Sequence, residues 1–285
     1  MKTLKILSTI KGTLLQKRNI NTILGMACSR YEYVKNYELQ DNLLPNVWIV
    51  IRVDALNLMS NAAQTVMEKF NDIILSYGQS DEYSFVFRKE TNVYNRRSSK
   101  LLSYVTSLFT SCYVLYWSQW MGDKKLAYPP SFDGRVVLYP SDQNLRDYLS
   151  WRQADVHINN LYNTAFWNLV QKGGLTNQEA EAKLRGTLSA YKNELLFSKF
   201  GINYNNLPAM FRKGTILLKK RVNDTKRNSS QQLIVPLHED LIRDVFWKNH
   251  SELLADKYIP GLYTQTCDDI ISEQLAKQVE KTSME

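Results

Sequence analysis

Residues 48–70 read WIVIRVDALNLMSNAAQTVMEKF, an apolar run that passes into a helical pattern with no loop between them. Residues 48–53 have the apolar character of a buried strand, and the strand ends at Asp54. From residue 55 to 70, Leu56, Met59, Ala63, Val66, Met67 and Phe70 recur on one face at helical spacing. Strand-to-helix connections usually take about two to six residues. Here the junction holds a carboxylate and almost nothing else. The segment commits the chain to a sheet with a helix against it, and it sets Asp54 at a strand end.

The neighbouring segments extend that pattern. DIILSYGQSDEYSFVF (72–87) reads as a β-hairpin, two apolar runs around the turn Gly78-Gln79-Ser80-Asp81. A long helix follows over about 92–120, with Leu101, Val105, Leu108, Phe109 and Cys112 on its buried face. PPSFDGRVVLYP (129–140) has a stiff proline start, a turn at Asp133-Gly134 and a strand. Strand, helix, hairpin, helix, strand predicts an α+β fold, an antiparallel sheet with helices on one face.

The second half reads as mainly helical. Residues 142–172 suggest two helices ending at Gly173-Gly174. Thr176 with Glu179 forms a capping box that opens another helix, and Gly201 closes NELLFSKFG as a left-handed stop. KGTILLKKRV (213–222) is a strand, 223–232 a polar linker or hairpin tip, and 236–255 a final amphipathic helix. The polar end from about residue 271 is expected to fray. The predicted regions are a basic extension over 1–28, a first region over 29–140 and a mainly helical one over 141–285.

Composition narrows the function. A chain of 285 residues with 44% hydrophobic and 22% charged residues can build a core. No apolar run approaches the roughly 20 residues of a membrane span. Cys28, Cys112 and Cys267 are far apart and give neither a disulfide framework nor a zinc motif. A net charge of +8 favours an anionic partner, nucleic acid foremost. Residues 1–31 contain no acid and six basic residues. That is the composition of a transit peptide, and equally of a disordered basic tail or an upstream start, with Met26 offering a second start. The expected location is mitochondrial if the extension is used, and cytoplasmic or nuclear from Met26.

The candidate chemistry lies at the strand ends. If β-strand and hairpin share a sheet, Asp54 and Asp81 come together, with Glu82 beside them. Clustered carboxylates are costly unless a cation intervenes. A pair of Mg²⁺ ions suits such a site and phosphoryl chemistry. The same residues also fit a plain turn aspartate and a strand-end aspartate paired to lysines. The chain has no Walker A sequence, GxGxxG or HExxH, and His157, His238 and His250 are scattered. Two segments mix basic, amide and aromatic residues. YNRRSSK (94–100) sets Arg96, Arg97 and Lys100 at a helix start, which suits phosphate. WRQADVHINNLYNTAFW (151–167) combines Trp151, Arg152, His157, Asn159, Asn160 and Asn163, types that read base edges and stack on unpaired bases. Either segment also fits a solvated helix face over a packed core.

Several long strings occur in one order: YEYVKNYE, LLPNVWIVIRVD, YGQSDEYSFVF, RRSSKLLS, YPPSFDGRVVLYP, LRDYLSWRQADVHINNLYNT and KNELLFSKFGINYNNLPAMFRKGT. Over residues 29–220 the chain resembles the eukaryotic tRNA-histidine guanylyltransferase family. The resemblance implies a polymerase- and cyclase-like palm over 29–140 and a helical tRNA-handling region after it. It implies Mg²⁺-dependent 3′-to-5′ addition of a guanosine to the 5′ end of tRNA-His. ATP first activates the RNA 5′-phosphate, and then the GTP 3′-hydroxyl attacks. By matching motifs, Asp54 and Asp81 resemble the two metal-binding aspartates, and Glu82 joins them as catalytic. Ala55 stands where the family has a glycine that lends its backbone carbonyl to a metal. Ser80, Arg97 and Lys100 resemble triphosphate-holding residues; Arg135, His157 and Lys192 resemble positions tied to tRNA. A homo-tetramer is implied as well. One departure is large: the family continues past the first aspartate with a GRGFHRF-like loop, and this chain goes straight to Ala55-Leu56. A second reading follows from that gap, a catalytically impaired variant that serves as a tRNA-binding or regulatory subunit.

Overall fold

The computed structural model describes residues 41–54, 58–224 and 229–266. From Asn42 on, these belong to one compact unit. The basic extension, Cys28, Ala55, Leu56, Cys267 and the polar end lie outside the described residues.

Strands β1 (Trp48–Asp54), β2 (Ile73–Gln79), β3 (Glu82–Phe87) and β4 (Gly134–Tyr139) come from the first half, with helices α1 (Met59–Lys69) and α2 (Ser98–Met121). The second half supplies α3 (Asp142–Gln171), α4 (Asn177–Leu184), α5 (Ser189–Phe200), α6 (Ala209–Lys213), β5 (Thr215–Asp224), β6 (Ser229–Leu237), α7 (Asp244–Asn249) and β7 (Leu262–Thr266). The sheet runs β4-β1-β3-β2-β5-β6, antiparallel throughout, with β7 pairing parallel to β5. The α+β expectation therefore holds, and the sheet continues past residue 140. β5 pairs directly with β2, Leu218 opposite Leu75, so three strands of the supposed helical half complete it.

Strand periodicity sorts the core into two layers. Ile49, Ile51, Val53, Phe85 and Phe87 face α1 and α2, packing on Val66, Met67, Val105 and Phe109. Trp48, Val50, Tyr77, Val86 and Leu218 face the other way, onto Leu145, Leu149 and Val156 of α3 and Phe246 and Trp247 of α7. Helices thus cover both faces. The single-face expectation fits the first half, and α3 with α7 adds the second cover.

Residues 142–172 form one helix where the pattern suggested two. Ser141 caps it by accepting from the Asn144 N–H, and no proline or glycine interrupts it. Its burial partners change midway: Leu161, Ala165 and Leu169 leave the sheet and join α4 and α5 in a separate helical core. That change of face imitates a break. The capping box at Thr176 and the left-handed Gly201 (φ 67°) occur as expected.

The predicted helix over 236–255 is replaced by the end of β6, a loop, short α7 and a 3₁₀ turn at Ser251–Leu254. Pro236 lies on edge strand β6, where proline is tolerated. The Asp240 side chain accepts from the Ile242 and Arg243 amides, and this turn delays the helix. The 223–232 stretch is the β5–β6 hairpin; its tip, 225–228, lies outside the described residues. No helix among the described residues is long and apolar enough to cross a membrane.

Candidate active-site cleft

The β2–β3 turn is tighter than the sequence suggested. Gly78 and Gln79 stay in the strand, and Ser80-Asp81 alone make the loop, with Ser80 at φ 44°. Gly78 is required there. A Cβ would fall 2.1 Å from the ring of Tyr83, its cross-strand partner. That ring lies over the glycine, packs beside Phe85 and Phe109, and donates its hydroxyl to Ser60 Oγ at 3.3 Å.

Above this tip crosses α3, leaving a cleft of 320 Å³. Its walls are Ser80, Asp81, Glu82 and Tyr83 from the hairpin, Met59 and Ser60 from α1, Arg152, Asp155, Asn159 and Asn163 from α3, and Met210 and Phe211 from α6. Gln153 fixes α3 in place. Its amide nitrogen donates to the Lys213 and Glu239 carbonyls, both at 2.9 Å, and its oxygen accepts from the Leu241 N–H at 2.6 Å. Tyr148 donates or accepts with Ser84 Oγ at 2.7 Å, and burial pushes its phenol up to about 12.

Glu82 is 4% exposed and held by three groups. Arg152 Nε lies 2.7 Å from Oε1 and Arg52 Nη2 lies 3.0 Å from Oε2. The Gln79 amide donates to Oε1 at 2.9 Å. Two cations offset the cost of burying a carboxylate away from water. Arg152 is itself held by Asp155, 2.7 Å from Nη2. Asp81, the residue before it, is exposed and lines the open cleft.

The register sets Asp54 opposite Glu82 across β1–β3, so the backbones of Asp54, Asp81 and Glu82 meet at one sheet end. Among the described side chains no group of three acids, histidines or cysteines could hold a metal. Asp81 alone offers an open carboxylate, while Glu82 is engaged by arginines. The donor types fit Mg²⁺, and the remaining expected ligands, the Asp54 carboxylate and the Ala55 carbonyl, lie outside the described atoms.

The other predicted residues are more dispersed. Ser80 lines the cleft, but Arg97 and Lys100, at the start of α2, do not. Arg96, expected to favour phosphate, is buried. Its guanidinium donates to the carbonyls of Lys89, Thr91, Leu44 and Val47 and so holds the left-handed run Tyr94-Asn95-Arg96. Arg135 lies on β4 beside Arg52 and pairs with Asp133 at 2.6 Å. His157 packs edge-on against Tyr204 outside the cleft. Burial, with Arg212 nearby, lowers its pKa. Lys192 is 8% exposed and donates to the Thr187 carbonyl at 2.7 Å, tying down the turn before α5. Sequence reasoning missed Arg52, Gln79 and Asp155 as parts of the site. A lone arginine in WIVIRVD was the available signal, because a charge on a strand between buried neighbours needs a partner.

An antiparallel sheet with carboxylates at one strand end thus lies beneath a polar helix. Comparison with known proteins identifies the family. The tRNAHis guanylyltransferase family model matches residues 54–140, and the Thg1 C terminal domain model matches 143–267. A probable tRNA(His) guanylyltransferase of Drosophila melanogaster is 63% identical, the match covering 88% of this chain and 94% of that protein. The crystal structure of the Saccharomyces cerevisiae enzyme superposes with a TM-score of 0.63 at 42% identity, over 72% of this chain and 96% of the other. A bacterial Thg1-like protein in complex with ATP shares the fold, with a TM-score of 0.61 at 19% identity over 79% and 99% of the two chains. The chain belongs to the tRNA-His guanylyltransferase family, and by that membership is a nucleotidyltransferase.

Proposed function

We propose that this protein adds a guanosine nucleotide to the 5′ end of tRNA-His, using ATP to activate the RNA 5′-phosphate and GTP as the donor. The observation that carries the reading is the cleft over the Ser80-Asp81 turn, in a chain 63% identical to a probable tRNA(His) guanylyltransferase. Asp54 and Asp81, with the Ala55 carbonyl, would hold Mg²⁺. When bound, the metal would stabilise charge on phosphate oxygens and activate a hydroxyl. Glu82 orients the turn through its two arginines rather than by facing substrate. Ser80 at the turn meets the triphosphate, and Asn159 and Asn163 offer amides to sugar or base. Arg97, Lys100, Arg135 and His157 serve RNA or triphosphate from the surrounding surface.

Incubating the protein with 5′-labelled tRNA-His, ATP, GTP and Mg²⁺ tests the reading. An adenylylated intermediate followed by a product one nucleotide longer is expected, and absence of both overturns it. We also propose that a loop present in relatives is missing from this chain at the Asp54–Ala55 junction, and sequencing the transcript across those codons tests it.

Assembly as a homo-tetramer fits α2, which has one charged residue, Lys100, in 24 positions and leaves Tyr104, Val114 and Leu115 exposed. Light scattering is expected to give the mass of four chains, and a monomer refutes it.

A further inference from the structure

We propose that the pocket beside Trp151 is a stacking site for one unpaired base of the RNA substrate. The inference rests on the function proposed above and adds to it a specific contact. The pocket measures 430 Å³ and is lined by Tyr139, Pro140, Asn144, Asp147, Tyr148 and Trp151. Trp151 is 58% exposed. One face of the indole is already backed: the Arg152 guanidinium carbon lies 4.2 Å from the ring centroid. Arg152 is fixed in turn by Glu82 and Asp155, so the indole rests on an anchored cation.

The pocket floor is equally built. Tyr139 and Tyr148 stack at 5.0 Å and 28°, and Tyr148 is tethered to Ser84. Asn144 and Asp147 supply amide and carboxylate groups at the margin for a base edge. A flat π-system with polar edges matches that combination, and every nucleobase has one.

Position supports the choice of occupant. Arg152 and Asp155 line the catalytic cleft, while Trp151, one residue away, lines this pocket. The two concavities therefore flank a single side-chain pair. RNA whose 5′ end enters the cleft has a neighbouring nucleotide within reach of Trp151.

Binding of fluorescently labelled tRNA-His by anisotropy, across a salt series, tests the inference. Trp151→Leu keeps apolar bulk but removes the π-face, and should weaken binding about 5- to 150-fold. Trp151→Phe should stay near wild type. The slope of log affinity against log salt should be unchanged, because no phosphate contact is lost. Melting temperatures of both variants should match wild type, since the side chain is exposed. Wild-type affinity in W151L overturns the inference and leaves the proposed function standing. No tRNA binding by the wild type overturns both. A change in oligomeric state in W151L with unaltered RNA affinity assigns the ring to a second copy of the chain and also overturns it.

Discussion

Replacing Arg152 by alanine removes one of two cations from a carboxylate that is 4% exposed. Glu82 would keep Arg52 at 3.0 Å and the Gln79 amide at 2.9 Å, so it is left under-compensated rather than bare. Breaking a buried pair by deleting one partner costs about 3–5 kcal/mol. The surviving arginine argues for the lower end, about 3 kcal/mol. At about 2–4 °C per kcal/mol, the melting temperature should fall by about 6–12 °C. Urea denaturation of wild type, R152A, E82A and R152A/E82A measures the coupling. Residues in one ion-pair network couple by about 0.5–3 kcal/mol, so the double variant should lose less than the two singles together. Additive losses, or an R152A variant within about 0.5 kcal/mol of wild type, would refute the claim that Arg152 compensates Glu82.

Gly78→Ala forces the Tyr83 ring to move, because its atoms lie 2.1, 2.4 and 2.6 Å from the added Cβ. A loss of about 1–3 kcal/mol is expected by equilibrium unfolding, and most of it should vanish in a Tyr83→Leu background. Glu252 is pushed down to about 2: burial opposes ionisation, but hydrogen bonds from His250 and Lys220 prevail. With a folded value below the ordinary 4.5, Glu252 adds stability above pH 4.5 that is lost as pH falls towards 2. Glu252→Gln should therefore flatten the acid limb of stability against pH, as chemical denaturation between pH 2 and 6 would register. Asp81→Asn should abolish extension of labelled tRNA-His while leaving the melting temperature unchanged, because its carboxylate is exposed; a large thermal shift would mean that Asp81 is structural.

Legibility in the sequence followed local determination. β1, the hairpin and the buried face of α2 could be read because their apolar periodicity is intact; Leu101, Val105, Phe109 and Cys112 are all buried as the spacing requires. The capping box and Gly201 were legible because both are short-range backbone chemistry. The 236–255 segment was expected to be one helix and is not. Pro236 and the Asp240 turn, which decide otherwise, act through β-pairing and a local side-chain bond. At the site, acids at strand ends were visible, but their cations were not. Arg52 meets Glu82 across a strand pair, and Arg152 meets it from 70 positions along the chain. Nor could spacing show that Lys192 and Arg96 spend their charges on internal carbonyls.

The pairing of β5 with β2 has a consequence for how the molecule is made. β2 is buried along its whole length, yet one of its edges is closed only by Thr215–Leu218. On the ribosome, every residue through Gly214 emerges before that edge can be satisfied. An open apolar edge is an invitation to intermolecular pairing. Contacts this distant in sequence also slow folding. Nascent chains stalled or cut before residue 215 should thus be the aggregation-prone species. The catalytic strands cannot mature as an independent vectorial unit, however complete their own hairpin looks.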